Sequence, residues 1–352
     1  MKHRTDSYLF TEPNIPKKAK FPVIDAHNHL WGAWDKIESI VKIMKACGVA
    51  MYADLTANVE LKWVKGGYDF YESDIRRFFN NVISRYPSNF YGFTSATFTR
   101  PVAKPLFQDP QQFVEETIKT LNEHIKLGAK GLKILKELGI RYKDKRGKLI
   151  KCSDKRLDPI WEECAKLRVP VLLHQADPYG FFQPLKEGNE HLSSLRKYPS
   201  WSFAKPGYPK FEDLLNNMVE LIKKHPNTTF ILAHLGNFPE NLAWVASLLE
   251  NNSNVYVDIS ARTEELGRQP YTARKFFFKY QDRIIFGTDM PPSLEMYRYY
   301  FRFLETEDEY FVHPDYDGTF SRHRWRVYGI NLPDNILRKI YYANIIKLIP
   351  SL

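Results

Sequence analysis

Eight short apolar runs recur along the chain, each followed by a turn and then an amphipathic stretch. They are VIDAHNHL (23–30), VAMYADLT (49–56), FYGFTSATF (90–98), GLKILKEL (131–138), VPVLLHQADP (169–178), TTFILAHLGN (228–237), VYVDISAR (255–262) and RIIFGTDMP (283–291). Their near-continuous apolar character predicts strands buried on both faces, as in a parallel sheet. The stretches between them carry helical periodicity. Residues 35–48 place Ile37, Ile40, Val41 and Met44 on one face, with Asp35 as the expected cap and Gly48 as the stop. Residues 109–128 begin with Asp109 and Pro110 and end at Gly128. Segments 156–168 and 211–226 follow the same style, and 332–349 reads as a closing helix.

Eight strands alternating with helices predict an α/β fold, a (β/α)8 TIM barrel. A doubly wound open sheet requires a Gly-rich phosphate turn after the first strand, and HNHLWGAW offers a single glycine there. A length of 352 residues with 43% hydrophobic residues suits one large barrel. The expected organisation is an N-terminal extension over 1–20 and a catalytic barrel over 21–352. The longest irregular pieces are 57–70, 139–155, 178–210 and 305–332. The first three follow strands two, four and five and are expected on the catalytic face. The fourth lies beyond the last strand.

The net charge of +10 is densest in 141–156 and 321–327. These runs read as solvated loops, with attraction of anionic substrates the next alternative and nucleic acid a distant third. Three scattered cysteines lack CxxC spacing and indicate neither a disulfide framework nor a thiolate metal site. No run approaches the roughly 20 apolar residues of a membrane span, and the N-terminus has no signal-like apolar segment. The expectation is a cytoplasmic protein with no nucleic-acid or membrane partner, and a homodimer is left open.

The first run ends in HNH. Alternate strand residues share a face, so His27 and His29 are expected to point into the barrel about 7 Å apart. His174, His234 and Asp289 close the fifth, sixth and eighth runs. Five ionisable groups at the ends of apolar strands are costly to bury unless a charge pairs with them, and a divalent cation resolves that cost. Histidine and carboxylate donors suit zinc, with manganese or iron as further options. Asp25 is expected inward on the same face, one step deeper, and Asn28 away from it.

DxHxH after the first strand, histidines after the fifth and sixth, and GTDxP at the eighth resemble the amidohydrolase superfamily, and within it the amidohydrolase-related branch. That branch includes aminocarboxymuconate-semialdehyde decarboxylase, aromatic-acid decarboxylases, lactonases and metal-dependent hydrolases. The resemblance implies one divalent metal held by His27, His29, His174 and Asp289, with His234 beside the metal-bound water or the reacting carbonyl or carboxylate. Asp289 is then also the proton carrier. Many superfamily members bridge two metals with a carboxylated lysine on strand four. Lys133 is a candidate for that bridge, for an anion contact, or for a structural role.

Substrate contacts are expected from residues just past strand ends: Trp31 with Trp34, Gln175, Tyr179 and Phe181, and Arg262 as a carboxylate clamp. The substrate is therefore expected to be small and anionic. Three activities fit the pattern to different degrees. The first is metal-dependent hydrolysis of a C–N or C–O bond in an amide, cyclic imide or lactone. The second is metal-dependent, non-oxidative decarboxylation of an unsaturated or aromatic acid. A non-catalytic basic binding protein leaves the five inward groups unexplained.

Overall fold

The computed structural model describes Leu9 and residues 11–64, 67–316 and 323–352. All eight apolar runs form parallel strands: β1 Val23–Asp25, β2 Val49–Asp54, β5 Phe90–Gly92, β6 Leu132–Ile134, β7 Val171–Leu173, β8 Phe230–Leu232, β9 Val255–Asp258 and β10 Ile284–Ile285. β1, β2 and β5 form one stretch of sheet and β6 to β10 the other. The seams are closed by Thr94 pairing with Leu132 and by Ala26 N donating to Phe286 O at 3.1 Å. The result is a TIM barrel.

Two apolar layers follow from strand alternation. Ile24, Ala53, Tyr91, Leu172, Ile231, Tyr256 and Ile285 fill the barrel interior, with Ile345 and Ile349 of the C-terminal segment packed against them. The alternate residues Val23, Leu132, Val171, Phe230 and Val257 face the helices in a larger cluster. The expected helices form with their expected faces buried. Pro110–Leu127 is capped by the Asp109 side chain, which accepts from Gln111 N and Gln112 N, and it stops at Gly128 in a left-handed conformation. The helix Ile37–Cys47 also stops at a left-handed Gly48 but has no side-chain cap. Asp35 instead lies inside a short 3-10 turn, Trp34–Lys36.

Two expectations are corrected. Segment 57–70, expected to be irregular, contains most of an antiparallel hairpin, β3 Val59–Val64 with β4 Gly67–Glu72. Val59, Glu60, Leu61, Lys62 and Trp63 alternate apolar and polar residues, a strand signal that the expectation of an irregular segment overlooked, and cross-strand pairing stabilises the hairpin. Asp25 does not face inward. It shares the outer face with Val23 and accepts from Tyr297 Oη at 2.9 Å, Thr288 N at 3.0 Å and Thr288 Oγ1 at 2.8 Å. Regular strand geometry ends at Asp25, and the chain bends at His27, so the two-residue alternation does not carry through. Asp25 therefore anchors the end of the eighth run beside Asp289. Asn28 supports the same junction, donating to Asp25, Thr288 and the Met290 carbonyl. Among the described residues, no helix is long and apolar enough to cross a membrane.

Candidate active site

The five strand-end groups meet at one end of the barrel. Asp289 Oδ1 lies 3.5 Å from His29 Nε2, and its Oδ2 lies 3.9 Å from His27 Nε2 and 3.7 Å from His234 Nε2. The His174 ring sits 4.5 Å from that of His234. The backbone is bent to achieve this. His234 and Asp289 have φ of 56° and 50°, a left-handed conformation uncommon for non-glycine residues and concentrated at functional sites. Gly287 has a separate reason to lack a side chain: a Cβ there lies 2.6 Å from the Cβ of His27.

Each ring is oriented from behind. His27 Nδ1 donates to Asp258 Oδ2 at 2.8 Å, and His234 Nδ1 donates to the Ser260 carbonyl at 2.8 Å. Both acceptors can only accept, so the Nδ1 atoms carry the protons. His29 Nδ1 lies 2.9 Å from Thr56 Oγ1, whose own proton goes to Asp54. All three rings thus turn a bare Nε2 toward Asp289. His174 Nε2 is buried with no hydrogen-bond partner. Burial holds the His29 and His234 imidazoles well below their usual range and His174 down to about 3. Unprotonated imidazole nitrogens beside a carboxylate are the donor set a divalent cation requires, and at His27 Nε2 the Lys133 Nζ occupies that direction at 3.1 Å. His27, His234 and Asp289 each offer a ligand atom within 4.8 Å of the others, close enough to hold a metal ion.

Lys133 is fully buried on β6, its Nζ 3.1 Å from His27 Nε2. Burial lowers its ammonium to about 8, against the opposing pull of Asp289 and Asp258. Asp258 shows the reverse balance. Burial raises its carboxyl, but the adjoining His27 ring and its hydrogen bond, the Ser260 hydroxyl and the His234 N–H hold it at about 2.

Two chambers adjoin at this cluster. The inner one, of about 210 Å3, is lined by His29, Trp31, His174, His234, Arg262 and Asp289 among others. The outer one, of about 290 Å3, shares Lys136, Asp177 and Arg262 with it and adds Phe181, Trp201 and Trp325. Trp31 stacks on His29 at 4.5 Å. Arg262 is 7% exposed. Its Nη1 donates to its neighbour's carbonyl and its Nε has no partner. Burial raises the Glu265 carboxyl, and the charge of Arg262 acts on it the other way, lowering it.

Other expected contacts lie elsewhere. Gln175 is buried, and its amide donates to Leu138 O at 2.8 Å. It ties the loop after β6 to β7 and lines neither chamber. Tyr179 packs edge-on against Phe211 and borders a separate outer groove. Trp34 is buried under the Arg77 guanidinium. Of the basic runs, Arg156 in 141–156 pairs with Asp144 and Asp154. In 321–327, residues 321 and 322 lie outside the described residues, while His323 and Trp325 line the outer chamber. Within segment 305–332, beyond the last strand, His323 and Trp325 therefore reach the site.

Sequence reasoning also missed Asp258 and Ser260. Their signal was present: they stand two apart at the end of VYVDIS, the same spacing that singled out His27 and His29.

The family model described as amidohydrolase matches residues 24–350. The chain belongs to the amidohydrolase family. No curated relative matches it. Among solved structures, this amidohydrolase is similar to 2,6-dihydroxybenzoate decarboxylase from Rhizobium, with 16% identity, 94% of this chain and 99% of that one covered, and a TM-score of 0.54. A dihydroxybenzoic acid decarboxylase from Polaromonas sp. JS666, with bound manganese and the inhibitor 2-nitroresorcinol, gives 16% identity, 94% and 97% coverage and a TM-score of 0.52. A 4-oxalomesaconate hydratase from Rhodopseudomonas palustris gives 12%, 93%, 95% and 0.52. At these identities the likeness establishes the barrel fold.

Proposed function

We propose that this amidohydrolase is a metal-dependent, non-oxidative decarboxylase of a planar, aromatic or unsaturated carboxylic acid. The observation that carries the reading is Arg262, a buried guanidinium with an unpartnered Nε. It lies where the histidine–aspartate chamber meets a chamber walled by Phe181, Trp201 and Trp325. A buried guanidinium N–H without an acceptor suits a carboxylate oxygen, and flat aromatic walls suit a flat ring. Similarity to decarboxylases, one of them complexed with 2,6-dihydroxybenzoate, supports the same choice. Hydrolysis, the first expectation from the sequence, uses the same cluster but leaves the aromatic walls without a role.

In this reading His27, His29 and Asp289, with His174 or His234 completing the set, would hold one divalent cation, zinc or manganese. When bound, the cation orients the substrate's oxygen substituents and stabilises negative charge that builds on them. Arg262 takes the substrate carboxylate, and Trp31, stacked on His29, fixes the plane of the ring. Asp289 delivers a proton to the carbon bearing the carboxylate. The C–C bond then breaks, its electron pair restores the unsaturated system, and CO2 leaves. Asp289 recovers its proton from water.

The test is a panel of hydroxybenzoic acids, lactones and amides, assayed for CO2 release and for hydrolysis before and after chelation, with metal content measured in parallel. Chelator-sensitive CO2 release from an aromatic acid is expected. Turnover of lactones or amides alone refutes the decarboxylase reading.

A further inference from the structure

The outer chamber holds more hydrogen-bonding capacity than the protein uses. Glu264 Oε1, Glu265 Oε2 and His323 Nε2 are buried without partners, and all three residues line this chamber. The tautomer of His323 is set by its other nitrogen. Nδ1 lies 2.9 Å from Glu264 Oε2, a carboxylate oxygen that only accepts, so Nδ1 holds a proton and, in the neutral ring, Nε2 is the acceptor. These three unspent acceptors share the chamber with two further unpartnered nitrogens, Arg262 Nε, which the proposed carboxylate contact uses, and His191 Nε2, which lies 3.5 Å from Glu190 Oε1. Glu265 is 6% exposed, so bulk water does not easily satisfy it. Buried polar atoms without partners are rare and mark places where a ligand completes the set.

We propose that the substrate carries, at the end remote from the histidine–aspartate cluster, a hydrogen-bond-donating substituent, a hydroxyl or an amino group, read by Glu264, Glu265 and His323. The inference rests on the decarboxylase reading for the orientation of the acid, since Arg262 takes the carboxylate and the far end of a planar ring then enters the outer chamber. Aromatic walls supply area without direction, whereas buried acceptors discriminate, because an analogue lacking the donor leaves them unpaired. Glu264, Glu265 and His323 are thus specificity-determining residues, with no part in bond breaking.

The experiment is calorimetric titration of the metal-loaded protein with 2-hydroxybenzoates carrying amino, hydroxyl, methoxy or methyl at position 4, and with the matching 5-substituted series. Amino and hydroxyl donate, methoxy only accepts, and methyl does neither. In one positional series the donor-bearing acids are expected to bind at least about tenfold tighter than the methyl and methoxy acids. The stronger donor arm identifies the group as amine or hydroxyl. In Glu264→Leu and Glu265→Leu the preference is expected to fall to within about twofold, and the wild-type series decides the matter if either variant fails to fold. Methyl or methoxy acids that bind as well as the donors in both series overturn the proposal, as does absence of binding by every acid. CO2 release is scored separately. Donor preference without CO2 release leaves this inference standing and removes the decarboxylase reading, and CO2 release without donor preference does the reverse.

Discussion

Asp258→Asn tests whether the orientation of the histidines, rather than their presence alone, makes the metal site. Asp258 Oδ1 accepts from His234 N at 3.0 Å, Ser260 N at 3.1 Å and Ser260 Oγ at 2.5 Å, while Oδ2 takes the His27 Nδ1 proton at 2.8 Å. An asparagine has one carbonyl oxygen and one NH2. Facing the NH2 toward the two backbone N–H groups leaves both without an acceptor. Facing it toward His27 costs less, because the imidazole can switch tautomer. The proton then moves to Nε2, and the lone pair that pointed toward Asp289 is lost. Partners of this kind contribute about 10- to 100-fold in metal affinity, and that is the expected loss. Stability should fall too. The Asp258 carboxyl stands at about 2 against the ordinary 3.8, which corresponds to roughly 2–3 kcal/mol at neutral pH. Because the folded value is depressed, this contribution is present above about pH 4 and fades as pH falls toward about 2. Metal affinity is read by chelator competition and stability by urea unfolding of the metal-free protein. A variant that binds metal within twofold of wild type refutes the tautomer argument, whatever its stability.

Arg262→Ala should raise KM strongly for an anionic substrate and little for its neutral ester; equal effects on both reject the clamp. Lys133→Met should stabilise the metal-free protein by roughly 2–3 kcal/mol at pH 7, since burial depresses the ammonium to about 8. The folded-state value lies below the unfolded one, so wild-type stability rises as pH climbs from about 8 toward the ordinary lysine range and the difference closes there; urea unfolding at pH 7 and pH 10 reads it. Asp289→Asn should keep the fold while losing most turnover and weakening metal binding, because a neutral amide is a poorer ligand and carries no transferable proton. His174→Ala and His234→Ala, assayed for metal content and kcat, assign the remaining ligand: the one that retains metal but loses rate lies beside the reacting group.

The barrel and the identity of the cluster were legible because both are local properties. An apolar run long enough for a buried strand marks itself, and the residue that ends it stands at the barrel rim whatever the rest of the chain does. His27, His29, His174, His234 and Asp289 all carry that mark. Asp258 carried it too, yet only the tertiary structure pairs it with His27, 231 residues away, and so decides which nitrogen of the ring is bare. Asp25 shows where local reasoning stops. It keeps the outer face that alternation with Val23 gives it, whereas the bend at His27 ends that alternation, so the faces of the histidines do not follow from it. The loops depend least on their own sequence. Gln175 turns to Leu138, Tyr179 turns to Phe211, and His323 and Trp325 come from beyond the last strand to wall the outer chamber. Strand ends are placed by backbone pairing between neighbours, whereas loop side chains are placed by packing against elements far away in the chain, and no spacing within a loop records those contacts.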